Sequence, residues 1–322
     1  MPVDHRRVLG PADETRPPLN ELTIQEDKTK HIVINGLRQD GRSTDEIRKF
    51  FVRANAVTQA KGSAYIETGK TKVICSVYGP RESLRRQEFR MKGKLTCEIK
   101  YAPFSCKTRR SPVMGQDEKD LSNIIKQAFE PSIMMEMFPK AQIDLYIVVL
   151  ENDGNVLSAA INCATVAFVE AGIEMYDLVI ASSLVQSIQG SLLDPILFEE
   201  KHQETQSIMT VAFLPVLNQI SLLNMNGELS LTQTNQAIQS CIEGCARIYP
   251  VICQCIVQHT KRTIKEPSIN DRNLVTMGFS ITYVIVHNHY MFPNNNDNCI
   301  CIYVSHGPRW IPCKLYAKVV HN

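Results

Sequence analysis

Gln142-Ile143-Asp144-Leu145-Tyr146-Ile147-Val148-Val149-Leu150 is an apolar, β-branched run, and Asn152-Asp153-Gly154 turns the chain at its end. Ser158 to Glu170 follows, rich in small apolar residues (Ala159, Ala160, Ala164, Val166, Ala167, Phe168), with Gly172 where a helix stop belongs. Small side chains let a helix approach a sheet closely. The stretch therefore predicts a strand, a turn, and a helix buried against a sheet, for which core packing is the expected role.

Upstream, Phe51 to Val57 alternates in the manner of a strand, Lys61-Gly62-Ser63 turns, and Ala64-Tyr65-Ile66-Glu67 leads to a second turn at Thr68-Gly69-Lys70. Lys72 to Tyr78 is a third strand, which Gly79-Pro80 is expected to end. Leu121 to Met137 has helical spacing, with Pro131 as a kink. Downstream, Leu178–Ile188, Ser207–Leu214 and Gln219–Met225 read as strands, and Asn226-Gly227 turns the last of them. Thr232 to about Thr263 is a long helix that Pro250 should bend. Strands and helices mix without strict alternation, which favours an α+β layered domain over a doubly wound sheet. Residues 1–30 are polar and rich in proline and read as a flexible tail. The folded domain is expected over 31–266, and 267–322 is an extension of open structure.

The charge balance limits the function. Thirty-five basic residues stand against 33 acidic ones, for a net charge of +2, so any contact with a polyanion must come from a local patch. The 11 cysteines are scattered through apolar runs with no Cys-x-x-Cys pair, which suits reduced thiols. The N-terminus has no apolar core of the signal-peptide kind, and no apolar run is expected to reach the ~20 residues that a membrane-spanning helix needs.

Three segments together resemble the RNase PH family: Arg38-Gln39-Asp40-Gly41-Arg42, the hairpin from Gly62 to Val73, and Leu150-Glu151-Asn152-Asp153-Gly154 leading into the small-residue helix. The resemblance spans about 31 to 264. It implies an RNase PH-like fold, akin to the second domain of ribosomal protein S5. Within the family the likeness is to non-catalytic exosome subunits. It implies a hexameric ring of RNase PH-like partners around an RNA channel, capped by S1/KH-type subunits, in the nucleus, nucleolus and cytoplasm. It implies support of 3′-to-5′ RNA processing, with no membrane partner and no cofactor.

Members that cut RNA by phosphorolysis must hold an anion against other anions, so they need cations. The resemblance implies a Gly-Thr-Arg stretch after the Asp-Gly turn that grips phosphate at the helix start. Here that stretch reads Asn155-Val156-Leu157, with an aliphatic chain in place of the arginine. Losing such a contact costs ~2–5 kcal/mol, so retained phosphorolysis is not expected. The family's paired aspartates correspond to Asp194 and Glu200. These are either a surviving metal site or a solvated acidic turn that includes Glu199; the second reading is preferred, and no metal is expected. The alternative, an active phosphate-dependent exoribonuclease, rests on Asp194, Glu200 and Arg109.

Ser105-Cys106-Lys107-Thr108-Arg109-Arg110 keeps the arginine that, by the resemblance, contacts RNA phosphates. Lys107, Arg109 and Arg110 suit a backbone contact that is blind to base identity, and an exposed charged loop is the plain alternative. A second basic run, Arg81, Arg85, Arg86, Arg90, Lys92 and Lys94, is either a channel contact, with Arg85 and Arg86 foremost, or a solvated loop. His287-Asn288-His289 has no cysteine or carboxylate at ligand spacing and reads as a polar turn, while Cys253/Cys255 and Cys299/Cys301 read as apolar packing positions.

Overall fold

The computed structural model describes residues 32–34, 37–82, 92–107, 109–188 and 190–265. The expected tail and C-terminal extension, Arg85, Arg86, His287-Asn288-His289 and Cys299/Cys301 lie outside these residues.

A short pair, β1 (Val33–Ile34) and β2 (Leu37–Arg38), precedes the first large sheet. That sheet is built from β3 (Phe50–Ala54), β4 (Gly62–Thr68), β5 (Thr71–Glu82), β6 (Lys94–Tyr101) and, after helix α1 (Gln116–Phe129), β7 (Ala141–Glu151). Its order is β3-β4-β5-β7-β6. Only β6 and β7 run parallel. Helix α2 (Val156–Glu170) leads to β8 (Ile180–Ser187), β9 (Gly190–Leu193), the short helix α3 (Leu197–Lys201), β10 (Thr205–Leu214) and β11 (Gln219–Gly227). These four strands form an antiparallel sheet ordered β11-β10-β8-β9, and α4 (Leu231–Lys265) follows. The fold is α+β.

The strand-turn-helix stretch organises the core. Every residue of α2 from Val156 to Phe168 is buried, against β4 and β5 on one side and β8 on another. The buried polar groups of α2 do the joining. Asn162 exchanges two hydrogen bonds with Ala181 of β8: Nδ2 to the carbonyl at 2.9 Å, and the Ala181 N–H to Oδ1 at 2.8 Å. Ser158 Oγ donates to the same carbonyl. Side-chain amides thus supply what a neighbouring strand would have supplied. At the other end, Gly172 (φ +66°) closes α2: its N–H donates to the Val169 carbonyl and the Ile173 N–H to the Phe168 carbonyl. That left-handed double closure is the one glycine permits at least cost.

Several boundaries differ from the sequence reading. β5 runs on past Gly79-Pro80 to Glu82, because a register shift between Tyr78 and Arg81 lets the pairing with β7 resume. Helix α1 begins at Gln116 and stops at Phe129, two residues short of Pro131, which disfavours helix in the residue before it. Its first turn is polar, and the buried Glu118 bonds the N–H groups of Gly115 and Tyr101 at 2.9 Å each. Apolar periodicity could not register that turn. Strands β6 and β9 and helix α3 had no reading at all. α4 is long and apolar enough to cross a membrane by length and composition, against the expectation. Its buried stripe of Ala237, Cys241, Cys245, Ile248 and Ile252 instead packs on β8 and β10.

Candidate functional site

The turn between β7 and α2 lies beside the Asp194–Glu200 segment. Gly154 (φ +87°) carries the chain through a left-handed step, and a Cβ there would fall 2.5 Å from the Leu197 backbone nitrogen. The close approach delivers both segments to one place, sealed by the Leu197 N–H on the Asp153 carbonyl at 3.0 Å.

Asp194 and Glu199 are not parts of a solvated turn: they are 2% and 1% exposed. The solvated reading is corrected by three buried arginines. Arg48 Nη2 lies 2.7 Å from Asp194 Oδ1 and its Nε 3.1 Å from Oδ2. Arg42 gives both terminal nitrogens to the Asp194 carbonyl at 3.2 Å. Arg38 reaches the Leu193 carbonyl at 2.5 Å, bonds the Thr44 carbonyl, and sits 3.6 Å from Glu199 Oε2. The Arg-Gln-Asp-Gly-Arg motif is therefore a clasp around this segment. Burial works against the Asp194 charge, but the Arg48 cation and its hydrogen bonds prevail and hold the carboxyl below its usual range. Burial pushes the carboxyls of Glu199 and Glu200 up, the former despite Arg38.

Asn155 completes the constellation. It stands in the left-handed region (φ 53°), which asparagine tolerates better than most residues. Its Nδ2 donates to Asp194 Oδ1 at 2.6 Å, and its backbone N–H donates to Glu200 Oε1 at 2.6 Å. The amide at the start of α2, where an anion would be welcomed, already holds the protein's own carboxylate.

These groups border a cleft of about 230 Å³. Leu121, Val156, Leu157 and Ile208 form its aliphatic walls; Asn152, Asn155, Asn224, Asn226, Ser183 and Thr210 supply polar groups. Glu200 is its carboxylate and Tyr101 its phenol, and neither lysine nor arginine lines it among the described residues. Leu157, 8% exposed, belongs to the hydrophobic core cluster. Asp194 and Glu200 do not form an open pair. The first is wholly engaged by Arg48 and Asn155, and among the described residues no group of three or more His, Cys, Asp or Glu is arranged to hold a metal.

The 105–110 loop reaches this cleft. The Asn152 N–H donates to the Ser105 carbonyl at 2.9 Å, and the Arg110 guanidinium carbon stands 4.2 Å from the centre of the Tyr101 ring. Lys107 and Arg109 are exposed and Arg110 half-buried. A basic rim thus borders an interior that no lysine or arginine lines among the described residues. Of the second basic run, Arg81 lies on β5 and bonds the buried Asp144, and Lys92 pairs with Glu136 at 3.2 Å. Those two are structural partners of acidic residues. Sequence reasoning missed Arg48, which stands between Ile47 and Lys49 with no motif around it.

A small-residue helix packed between two sheets, with its first turn beside the buried Asp194, defines an α+β domain of the RNase PH class. The chain belongs to the RNase PH family: the 3′ exoribonuclease family, domain 1, matches residues 46–174. It is 37% identical over 279 residues to the exosome complex component MTR3 of Mus musculus, covering 81% of this chain and 97% of that protein. Rrp46 of rice superposes with a TM-score of 0.61 at 24% identity, over 68% of this chain and 99% of that one. The Archaeoglobus fulgidus exosome with RNA bound to its active site gives 0.60 at 18% identity, over 67% and 92%.

Proposed function

We propose that this chain is a non-catalytic ring subunit of an RNA exosome, assembling with other RNase PH-like subunits beneath S1/KH-type caps and touching RNA through the 105–110 loop. One observation carries the reading: the cleft at the start of α2 has Leu157 in its wall and, among the described residues, no cation in its lining to receive phosphate. The likeness to the mouse exosome component over 97% of its length supports the ring role. Hydrolysis belongs to other subunits in this reading, and the complex works in the nucleus, nucleolus and cytoplasm, which tagging of the endogenous chain tests directly.

The experiment is reconstitution. The purified chain, given labelled oligoribonucleotide and orthophosphate, should release no nucleoside diphosphate. Mixed with RNase PH-like partners, it should elute in one ring-sized assembly. Diphosphate release by the lone chain would establish the active phosphorolytic alternative, and a chain that stays monomeric beside its partners would end the ring assignment.

A further inference from the structure

We propose that a groove between the free edge of β3 and α4 is filled by this chain's own residues 279–286, added as a strand antiparallel to β3. The inference is independent of the RNA reading and of the cleft at the start of α2.

The groove follows from the position of β3. That strand ends the order of its sheet, and among the described residues no strand pairs with its other side. The Asn55 N–H bonds the Ser63 carbonyl at 2.9 Å and the Gly69 N–H bonds the Lys49 carbonyl at 3.0 Å, so the odd-numbered residues exchange bonds with β4. The N–H and C=O groups of Phe50, Val52 and Ala54 therefore point the other way. There a space of about 850 Å³ lies between β3 and α4. Phe50 to Asn55 form one wall, and one stripe of the helix, Val251, Gln254, Cys255, Gln258, His259 and Arg262, forms the other. The Cys255 thiol bonds the Val52 carbonyl across it at 3.5 Å. A thiol is a weak donor, and a carbonyl keeps a second lone pair for another bond. Phe51 is 53% exposed beside it. A free edge next to a bare aromatic ring is a template for one more strand.

The direction of α4 selects the occupant. Cys255 stands by Val52; His259, further along, stands 3.9 Å from Glu170, which takes the Asn55 N–H at 3.0 Å. α4 thus runs beside β3 in the same sense and ends at Lys265, beyond the Asn55 end. The chain that follows lies outside the described residues. It need only turn back to lie antiparallel to β3, the pairing that a short connection permits. Residues 266–278 span about 40 Å when extended, and the edge of this five-residue strand is about 17 Å long. Phe279-Ser280-Ile281-Thr282-Tyr283-Val284-Ile285-Val286 then supplies the strand. Phe279, Ile281, Tyr283 and Ile285 alternate with smaller side chains, the period of a strand with one buried face, and the run carries no charge. Left bare, such a run pairs with other chains; the tether to α4 gives docking on its own edge a high effective concentration.

The test keeps the full chain. Phe51→benzoylphenylalanine, activated by light, should crosslink to residues 279–286, as mapped by mass spectrometry. In a mixture of heavy-isotope and unlabelled chains, each linked pair of peptides should carry one isotope only. Hydrogen exchange then reads the edge. Ile281→Pro/Thr282→Pro removes an N–H of each orientation from the run, so one of the two would have faced β3. It should speed exchange at Phe50, Val52 and Ala54 by about tenfold, the worth of one hydrogen bond. Asn295→Pro/Asn296→Pro, outside the run, should leave those amides unchanged. Mixed-isotope links would give the groove to a second copy. Links to another segment, or none, would take this run out of it, and unchanged exchange in the Ile281→Pro/Thr282→Pro chain would remove the pairing. Each of these results overturns the proposal.

Discussion

Arg48 holds Asp194 by both arms of its guanidinium, with Nη2 2.7 Å from Oδ1 and Nε 3.1 Å from Oδ2, and its own backbone N–H adds a bond to Oδ2 at 2.9 Å. Both residues are almost wholly buried. The carboxylate that the resemblance pairs with Glu200 is here a knot joining the segment before β3 to the segment after β9. Removing one member strands the other as an uncompensated buried charge. Arg48→Met should therefore destabilise the chain by about 3–5 kcal/mol, read as a shift of the urea unfolding midpoint. The double variant Arg48→Met/Asp194→Leu should recover much of that loss, since neither charge is then left alone.

The carboxylates of this region give opposite pH signatures. Asp194 is depressed in the folded chain, so it takes up protons more readily when unfolded. Its stabilisation is present above the unfolded value of about 3.9 and is lost as pH falls through the lower folded value. Burial raises Glu200, so the folded chain keeps that proton longer, and stability declines as pH rises from about 4.3 through the raised folded value. Thermal unfolding followed across acid pH should show Asp194→Asn removing an acid-side loss and Glu200→Gln removing a decline on the way to neutrality. Matching slopes in the two variants would contradict the assignment.

The central strand, turn and helix could be read in the sequence because apolar runs report burial: α2 is core from Val156 to Phe168, β7 buries Ile143, Leu145, Ile147 and Val149, and their residues say so. The same logic failed where polar groups are buried. Asp194 and Glu199 look like a wet acidic turn next to Glu200, and only the arginines arriving from Arg38, Arg42 and Arg48 bury them. Those partners lie about 150 positions away in the chain, beyond anything local spacing can express. Leu157 could be placed by family pattern alone, but its membership of the core needed the fold.

The approach of the turn to α3 sets another expectation. Gly154 combines φ +87° with a Cβ position 2.5 Å from the Leu197 nitrogen and 3.0 Å from the Pro195 carbonyl oxygen. Gly154→Ala therefore meets backbone, which cannot yield as a side chain would, in a conformation that L-residues rarely adopt. A loss of about 1–3 kcal/mol or more is expected in chemical denaturation. Hydrogen exchange should show faster opening at Leu197, whose N–H is bonded to the Asp153 carbonyl, and slower change in the distant β3–β4 hairpin.

Leu157→Arg asks what the cleft lacks. The new guanidinium would sit in the first turn of α2, facing a half-buried Glu200 and no other charge of the cleft lining. Two outcomes are expected together. The stability of the core cluster should fall by about 2–4 kcal/mol, because a long polar chain replaces a buried aliphatic one. Orthophosphate should then raise the melting temperature of the variant and leave that of the parent chain unmoved, since binding to the folded state alone is what shifts it.

The rim makes a prediction that depends on salt. Lys107 and Arg109 are exposed, and Arg110 is tied to Tyr101 by a guanidinium–ring contact of 4.2 Å. If they meet RNA phosphates, each contact releases counterions, and the logarithm of affinity falls linearly with the logarithm of salt. Replacing Lys107 and Arg109 by alanine in the reconstituted ring should weaken binding alike for oligomers of different sequence. It should also flatten the salt slope by about 0.7 for each phosphate contact removed, the single-strand value. Arg110→Ala should flatten the slope likewise and in addition free the Tyr101 ring from its guanidinium contact. A slope that stays fixed in all three variants would leave this loop with no RNA to hold, and the ring would have to draw its RNA past other residues.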